Sequence, residues 1–287
     1  MKIDEEKWFS LLPMRDAWHF FSCDKRIVDK KTRFQKVDII HNKFFGKILF
    51  LDGDIESAEY DEHVYHECLV QPAMIHHPNP KKVLILGGGE GASLREVLKH
   101  KSVEKVVMID IDEELVNICK KHLSEWHQGA FSDKRAEVLF MDAFKYLRET
   151  KEKFDIVIED LLSPDIEAST ALFRKELFEG IKKVLAKNGI AVFQAGRTDL
   201  VIGTGVYYKK FVGVVSSLFK HVKKFHVFIP SFYFTWGYVM ASESEIKNLS
   251  SAEVDRRITE RKLNLEFYSG FTERLISFFP RYREIGK

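Results

Sequence analysis

The chain has 287 residues, and its 45 Lys and Arg against 43 Asp and Glu give a formal net charge of only +2. Apolar residues make up 45% of the chain, which is enough for a sizeable core and excludes general disorder. The near-zero charge argues against a protein that mainly neutralises nucleic-acid phosphate, and the sequence shows neither a signal peptide nor an apolar run of membrane-spanning length. We therefore expect a cytoplasmic protein that binds no nucleic acid and no membrane.

The cysteines and histidines do not have the spacing of metal ligands. Cys23, Cys68 and Cys119 lie far apart without a CxxC pair, so we expect no disulfide framework and no zinc ribbon. The scattered histidines, including the His76-His77 pair, also lack zinc-ligand spacing. We expect no metal and no permanently bound cofactor.

The first 75 residues predict a small antiparallel β unit. A short helical start is expected over residues 8–21, and strand-like segments follow it, separated by Gly46 and Gly53. Asp52-Gly53 between two apolar runs is a good hairpin signal. We place an N-terminal domain at residues 1–75.

The second part of the chain, residues 76–287, alternates between strand-like and helical segments. This alternation predicts βαβ units and a mostly parallel sheet, so we expect one larger α/β domain. After residue 197 we expect a further helix, a strand, an aromatic segment and a charged C-terminal tail. The predicted strands of the alternating part cover residues 82–86, 103–112, 136–142, 154–162 and 190–196.

Three features at the ends of successive strands form the pattern of an adenosine pocket. The loop Gly87-Gly88-Gly89-Glu90-Gly91 leads from a strand into a helix, where glycines allow close backbone approach and the helix N-terminus offers free N–H groups. Asp110 ends the next strand, where an acid accepts hydrogen bonds from ribose hydroxyls, and Asp142 follows the strand after that and is expected to face an adenine. Alone, the loop is also consistent with a tight structural turn, and each acid with a helix cap. As a set they predict a nucleoside site of the S-adenosylmethionine type.

An acidic segment lies ahead of this domain. Residues 49–69 contain seven acids and no Lys or Arg, so the segment either attracts cations to a cleft or forms a solvated acidic face. The interleaved Tyr60, His63, Tyr65 and His66 favour a lined pocket. The seven acids are Asp52, Asp54, Glu56, Glu59, Asp61, Glu62 and Glu67.

The glycine loop carries an acid that narrows the choice of ligand. Glu90 lies where the methionine part of the cofactor should be, and its charge would repel the carboxylate of ordinary S-adenosylmethionine. Asp160 closes the strand over residues 154–160 and, unless it is only a helix cap, should face Glu90 across the same crevice. An acid at the position of Glu90 suits decarboxylated S-adenosylmethionine as cosubstrate, and the acidic, partly aromatic segment beside it suits a small-molecule polyamine as the second substrate.

These motifs resemble the polyamine aminopropyltransferases, the spermidine and spermine synthase family, over about residues 15–245. The resemblance implies a Rossmann-like, methyltransferase-type parallel sheet domain with a small N-terminal antiparallel β-hairpin domain, assembled as a homodimer or homotetramer. The segments that carry it are LDGDIESAEYDEHVYHECL, HHPNPKKVLILGGGEGASLREVLKH, VVMIDID and FDIVIEDLLSP.

Within the family, several segments are similar in sequence to those of the thermospermine synthase branch. The loop has Glu90 rather than Asp, and the strand that follows reads IDID. The other segments in that style are SAEYDEHVYHECL and IPSFYFTWGYVMAS.

The resemblance also implies roles for single residues. Asp160 matches the catalytic aspartate, and Tyr65 is expected to assist it. The expected cosubstrate site consists of Gln35, Gly87, Gly89, Glu90, Asp110 and Asp142. The expected polyamine site consists of Glu56, Tyr65, His66, Ser163, Tyr233 and Trp236.

Two departures from the family pattern concern the acceptor. The family usually reads D-x-x-D-P in the catalytic loop, whereas this chain has Ser163 in place of the second acid. Glu56 stands where a Gln is usual. Ser163 removes an acid near the reacting centre, and Glu56 adds one deeper in the pocket. Both changes favour a longer acceptor, so we expect spermidine rather than putrescine as acceptor and thermospermine as product.

The implied reaction is a direct displacement in which an amine attacks the carbon next to the sulfonium and releases methylthioadenosine. Within this class, a spermidine synthase acting on putrescine, or an agmatine or cadaverine aminopropyltransferase, is the alternative. Outside it, two alternatives stay open: a methyltransferase that uses intact S-adenosylmethionine, and a non-catalytic polyamine-binding homologue in which Ser163 marks lost chemistry.

Overall fold

A computed structural model describes residues 8–10, 19–161, 175–198 and 205–278. The N-terminal part contains a two-stranded antiparallel sheet, β1–β2, and a four-stranded antiparallel meander, β3–β4–β5–β6. These strands are β1 (Trp8–Ser10), β2 (Phe20–Ser22), β3 (Lys25–Lys31), β4 (Lys36–Asn42), β5 (Gly46–Leu51) and β6 (Asp54–Ala58).

The expected helical start over residues 8–21 is wrong where the structure describes it. Residues 8–10 and 20–22 pair as strands, and residues 11–18 lie outside the described residues. Phe20 is exposed while Phe21 is buried, the period-two alternation of a strand. At residues 20–22 the two phenylalanines therefore belong to a strand with one buried and one exposed face.

The hairpin between β5 and β6 is confirmed and has the geometry that its sequence favours. Asp52 and Gly53 both have positive φ, 50° and 84°, as a type I′ turn requires at its two central positions. Leu51 pairs with Asp54 across this turn. The turn thereby fixes which side chains of β6 point toward the centre of the molecule.

The second sheet has seven strands in the order β12-β13-β11-β10-β7-β8-β9. All neighbours are parallel except β13, which runs antiparallel to both β11 and β12. The mostly parallel sheet and the α/β class are thus confirmed. The strands are β7 (Lys82–Gly87), β8 (Lys105–Asp110), β9 (Ala136–Phe140), β10 (Phe154–Asp160), β11 (Leu185–Arg197), β12 (His221–Ile229) and β13 (Phe234–Ser242).

Helices cover both faces of this sheet, which explains why its central strands are continuously apolar. Helices α1, α2, α8 and α9 contribute to one apolar cluster, and α5, α6 and α7 contribute to the other. Within the described ranges no helix has the length and apolar character needed to cross a bilayer. The helices are α1 (Glu62–His76), α2 (Ala92–Leu98), α3 (Glu113–His122), α4 (Ser124–His127), α5 (Ala143–Glu149), α6 (Lys175–Val184), α7 (Gly205–Leu218), α8 (Ser251–Glu260) and α9 (Gly270–Ile276).

Helix α1 joins the two parts of the molecule. Its apolar side chains, such as Leu69 and Met74, belong to the cluster on one face of the central sheet. The domain boundary expected at residue 75 assigns α1 to the N-terminal domain, whereas in the structure α1 packs against α2 and the central strands.

The expected charged C-terminal tail is wrong for residues 251–260 and 270–276, which form α8 and α9. Val254 and Ile276 are buried in the same cluster as α1. Glu67 of α1 is fully buried, and its carboxylate accepts hydrogen bonds from three consecutive backbone N–H groups. The donors are Glu266, Phe267 and Tyr268, at 2.8, 2.9 and 2.7 Å.

We expect Glu67→Gln to lower the free energy of unfolding by about 2 kcal/mol. An amide has one acceptor oxygen, and its NH2 group would face a backbone donor in a buried site. Chemical denaturation of the wild type and the variant measures the change. Glu266→Gln, at an exposed side chain in the anchored segment, is the matched control. Equal stability of the two variants would show that the carboxylate does not anchor this segment.

Candidate active site

A cavity of about 300 Å³ opens at the carboxyl ends of the parallel strands, where the β5–β6 hairpin faces the central sheet. Ser163 lies outside the described residues, and His66 and Tyr233 are not among the side chains that line the cavity. The sequence-predicted residues that do line it are Gln35, Glu56, Tyr65, Gly87, Gly89, Glu90, Asp110, Asp142, Asp160 and Trp236.

The glycine loop allows the strand ends to approach closely. Gly87 has a φ of 83°, and a Cβ there would lie 2.1 Å from the backbone oxygen of Asp160. The N–H of Gly88 donates to that same oxygen at 3.0 Å. A Cβ on Gly89 would lie 2.8 Å from Asp110 Oδ2. The glycines are therefore needed to bring Asp110 and Asp160 into one cavity.

Asp110 and Gln35 are held by one intermediary, Asp112. Asp110 Oδ1 accepts the N–H of Asp112 at 2.8 Å, and burial, followed by the neighbouring charges, raises the pKa of Asp110 to about 6. Asp112 caps α3 by accepting the N–H of Leu115 at 3.0 Å. Its other carboxylate oxygen accepts from Thr32 at 2.6 Å and from Gln35 Nε2 at 3.2 Å. Gln35 is thus fixed at the cavity wall.

Asp142 caps a helix and also lies at the cavity. Its Oδ1 caps α5 by accepting the N–H of Lys145 at 2.7 Å, and the residue also lines the cavity. The cavity wall between Asp110 and Asp142 is apolar. This part of the cavity is therefore a slot with apolar walls and carboxylates at its edge, a shape that suits a planar base joined to a sugar. The apolar side chains of the slot include Ile109, Ile111, Leu115, Met141 and Phe144.

Asp160 receives two hydrogen bonds from buried hydroxyl groups. Tyr65 donates to Oδ1 at 3.1 Å and Ser93 donates to Oδ2 at 2.6 Å. Burial raises the pKa of Asp160 above its usual value, although the nearby His66 charge and the two hydrogen bonds oppose the shift. A carboxylate with a raised pKa is a better proton acceptor than an exposed one, so this arrangement suits general-base chemistry.

Glu90 belongs to a chain of alternating charges that leads away from the cavity. Its Oε1 lies 2.6 Å from His66 Nε2, and its Oε2 accepts from the Ser57 hydroxyl at 3.0 Å. His66 Nδ1 lies 2.9 Å from a Glu62 oxygen, and Arg95 binds both Glu62 oxygens at 2.8 and 3.0 Å. Burial favours neutral His66, but Glu90 and Glu62 outweigh it and raise the pKa of His66 to about 10. His66 therefore acts on the cavity through Glu90.

The seven acids of residues 49–69 have two kinds of position: three line the cavity and four contact other parts of the fold. Asp52, Asp54 and Glu56 line the cavity. The other four acids are engaged in the fold and do not line it, so the segment is neither a solvated face nor a continuous acidic wall. Glu59 accepts a hydrogen bond from the N–H of Lys47, and Asp61 accepts hydrogen bonds from Ser231. Glu62 forms an ion pair with Arg95, and Glu67 accepts hydrogen bonds from the C-terminal segment.

The two aromatic residues predicted for the polyamine site have different positions. Trp236 lines the cavity together with Phe232, with ring centroids 5.0 Å apart, and Tyr65 lies 5.9 Å from Phe232. Tyr233 is 42% exposed and stacks on His19 at 4.8 Å. Its positive φ of 59° ends the short 3-10 turn before β13 and directs the side chain away from the cavity. The structure therefore does not bring Tyr233 to the predicted site.

Several residues of the site have no counterpart in the sequence analysis. Ser93 and Ser57 reach their carboxylates from distant parts of the chain, and no local signal marks them. Gln194 lines the cavity, and its Nε2 donates to the backbone oxygen of Leu161 at 2.7 Å, which fixes the residue after Asp160. The rule that ligands bind at the carboxyl ends of strands would have identified Gln194, since it lies near the end of β11.

Among the residues that the structure describes, no group of three or more His, Cys, Asp or Glu side chains is arranged to hold a metal ion.

Two family profiles match the chain. The Spermine/spermidine synthase domain matches residues 62–251, and the Spermidine synthase tetramerisation domain matches residues 8–59. The chain is 47% identical over 255 residues to "Polyamine aminopropyltransferase 1" of Hyperthermus butylicus, covering 87% of this chain and 86% of the relative. It is 40% identical over 280 residues to "Polyamine aminopropyltransferase" of Saccharolobus solfataricus, covering 96% and 91%.

Solved structures show the same relationship. A spermidine synthase in complex with the transition-state analogue AdoDATO superposes with a TM-score of 0.88 at 28% identity, over 97% of this chain and 94% of that chain. The spermidine synthase from Thermotoga maritima superposes with a TM-score of 0.85 at 28% identity, over 97% and 93%.

We expect His66 to carry a positive charge at pH 8, because its pKa of about 10 lies well above that pH. Nitrogen-15 NMR of histidine-labelled protein should show both His66 ring nitrogens protonated, with the signal assigned by its loss in His66→Gln. Glu90→Gln should lower the pKa of His66 by removing one carboxylate. Half-buried His122, whose pKa is lowered by burial and by the neighbouring lysines, is the internal control and should be neutral. A neutral His66 at pH 8 would contradict the charge chain.

Proposed function

The chain belongs to the spermine/spermidine synthase family and is an aminopropyltransferase, and on that premise we propose that it converts spermidine to thermospermine. The aminopropyl group comes from decarboxylated S-adenosylmethionine, and methylthioadenosine is the second product. The observation that carries the proposal is one cavity that combines an apolar slot edged by Asp110 and Asp142 with the carboxylates of Glu90 and Asp160.

The cosubstrate follows from the position of Glu90. Asp110 accepts from the ribose hydroxyls and Asp142 lies at the base, while Gln35 contacts the methylthioadenosine part. Glu90, held by His66, faces the cosubstrate's aminopropyl end. A carboxylate there attracts an ammonium and repels the carboxylate of intact S-adenosylmethionine, which favours the decarboxylated form.

The reaction needs a neutral amine at the reacting carbon. Deprotonating a primary amine with a pKa of about 10.4 at pH 7 requires a free energy of about 4–5 kcal/mol. Asp160 takes the proton, and its raised pKa narrows the gap to the amine. Tyr65 and Ser93 hold its two oxygens, which orients the carboxylate toward the nucleophile. The amine lone pair forms the C–N bond, the C–S bond breaks, and its electron pair stays on sulfur as a neutral thioether.

The preference for spermidine rests on the carboxylates of the hairpin. Glu56 lines the same cavity as Tyr65 and Asp160. Asp54 and Asp52 follow at alternate positions toward the turn and also line the cavity. Successive carboxylates suit an acceptor with more than one distal ammonium group. The role of Ser163 stays a prediction.

We expect spermidine to give the highest kcat/KM among spermidine, putrescine, agmatine, cadaverine and norspermidine in assays with decarboxylated S-adenosylmethionine. Chromatography with mass spectrometry should show a tetraamine that elutes with thermospermine and not with spermine. Asp160→Asn removes the proton acceptor and should lower kcat by about 100-fold or more, while methylthioadenosine still binds.

Other outcomes of this assay would select the alternatives. Product mainly from putrescine, agmatine or cadaverine would keep the reaction and contradict the acceptor. Binding of methylthioadenosine without product from any amine would indicate a non-catalytic homologue. Tighter binding of intact than of decarboxylated S-adenosylmethionine would indicate a methyltransferase.

The match of residues 8–59 to a tetramerisation domain supports an oligomer, and we propose a homotetramer. Phe44 and Tyr60 are 66% and 55% exposed, and their ring centroids lie 5.3 Å apart. Exposed aromatic clusters are typical of subunit interfaces. Light scattering should give four times the chain mass of 33.5 kDa, and Phe44→Lys should lower it. A dimer mass would contradict the tetramer, and an unchanged mass for the variant would contradict this interface.

A further inference from the structure

The turn between β3 and β4 brings two side chains to the cavity, and one hydroxyl group organises this turn. Phe34 and Gln35 line the cavity, whereas Thr32 does not. The hydroxyl oxygen of Thr32 accepts the N–H groups of Phe34 and Gln35, each at 3.1 Å. The N–H of Thr32 donates to the backbone oxygen of Gln35 at 2.9 Å. A threonine that bonds to the backbone in this way holds the turn in one conformation.

The same hydroxyl group joins the turn to the central sheet. Thr32 Oγ1 donates to Asp112 Oδ2 at 2.6 Å across 80 positions of the sequence, and the two residues are only 5% and 2% exposed. Gln35 Nε2 donates to the same carboxylate oxygen at 3.2 Å. Asp112 therefore holds the backbone of the turn through Thr32 and also holds the side chain of Gln35.

Asp112 acts on the cavity through its neighbours. Its Oδ1 accepts the N–H of Leu115 at the start of α3, and its own N–H donates to Asp110 Oδ1 at 2.8 Å. Both carboxylate oxygens and the N–H of Asp112 thus have partners within the protein, and the residue does not line the cavity. Asp110 and Gln35, which do line it, are held relative to each other by one buried residue.

We propose that Thr32 is a positioning residue for the cosubstrate: its hydrogen bond to Asp112 fixes the β3–β4 turn, and with it Gln35, against the nucleoside slot. Asp160, at the reacting centre, is held instead by Tyr65 and Ser93. Loss of the Thr32 hydroxyl should therefore weaken binding of the nucleoside and leave the acceptor half of the cavity unaffected. The inference rests on the proposed function in one respect, namely that a nucleoside occupies the slot.

The test is Thr32→Val, which keeps the β-branched shape and removes the hydroxyl group. We expect the KM for decarboxylated S-adenosylmethionine and the Kd of methylthioadenosine to rise about tenfold, the factor that corresponds to the loss of one hydrogen bond. The kcat and the KM for the amine should change by less than about twofold, because the reacting centre is held by other contacts. Thr32→Ser keeps the hydroxyl group and should restore the affinity for both nucleosides.

Thr272→Val is the matched control for the loss of a buried threonine hydroxyl. Thr272 is 7% exposed, its hydroxyl donates to the backbone oxygen of Phe267 at 2.8 Å, and it does not line the cavity. This control should keep the wild-type KM for decarboxylated S-adenosylmethionine. An unchanged KM for the cosubstrate in Thr32→Val, an equal rise in the KM for both substrates, or failure of Thr32→Ser to restore the affinity would each overturn the proposal.

A double substitution tests the route of the effect. In the Gln35→Ala background, the side chain that Thr32 positions is absent, so adding Thr32→Val should raise the Kd of methylthioadenosine by no more than about threefold. A full tenfold rise in that background would contradict action through Gln35. Thr32→Ala, which lacks the hydroxyl group and inserts no methyl group in its place, is used for both measurements if Thr32→Val does not fold.

Binding of methylthioadenosine separates this inference from the proposed function. Calorimetric titration measures it without turnover and without an amine, so the identity of the acceptor does not affect the result. If the wild type binds methylthioadenosine and Thr32→Val binds it equally well, the proposed function stands and the role of Thr32 is wrong. If the wild type does not bind it, the nucleoside slot is wrong, and both the proposed function and this inference are overturned.

Discussion

The active site depends on the close approach of β7 and β10 at their carboxyl ends. The N–H of Gly88 donates to the backbone oxygen of Asp160, and there is no room for a Cβ on Gly87. Any side chain at that position would push the two strands apart and move Asp160 away from Glu90. The glycines of the loop are therefore needed for the close packing of β7 against β10. The cavity at the ends of these strands depends on that packing.

This approach brings like charges together, and the surrounding residues offset the repulsion in different ways. Glu90 faces an imidazolium, His66, whereas Asp160 is held by the hydroxyls of Tyr65 and Ser93. Asp110 has mainly a backbone partner, and its pKa of about 6 shows the free-energy cost of leaving a buried carboxylate with little compensation. We expect ribose hydroxyls to supply hydrogen bonds to Asp110, and cationic ligands to relieve the repulsion between Glu90 and Asp160. The same carboxylates that destabilise the empty cavity thus favour polycationic ligands.

The parts of the site that could be predicted are those set by local sequence. The Asp52-Gly53 turn and the Asp142 cap depend on residues within three positions of each other. Strand ends in an alternating α/β pattern predicted Asp110 and Asp160 at one edge. The strand at residues 8–10 was missed because its alternation is short and its partner, β2, lies ten residues away.

Contacts between distant residues account for the rest. Ser93 reaches Asp160 across 67 positions, and Glu67 reaches Tyr268 across 201. Neither serine nor glutamate at those positions differs locally from an ordinary helix residue. The sequence of the charged C-terminal region predicted a tail because the carboxylate that holds this region, that of Glu67, lies about 200 residues earlier in the chain.

The acidic segment shows why a count of charges does not measure attraction for a polyamine. Four of its seven acids hold the fold, and Asp54, one of the three at the cavity, is paired with Arg197. The nucleoside slot is built chiefly from strand ends of the central sheet, whereas these three acids lie on the β5–β6 hairpin. Because the two halves of the cavity come from separate elements, substitutions on the hairpin can change the acceptor while the nucleoside half keeps its geometry. We therefore expect acceptor choice to depend on the net charge of the hairpin acids at the cavity, and not on the number of acids in the segment.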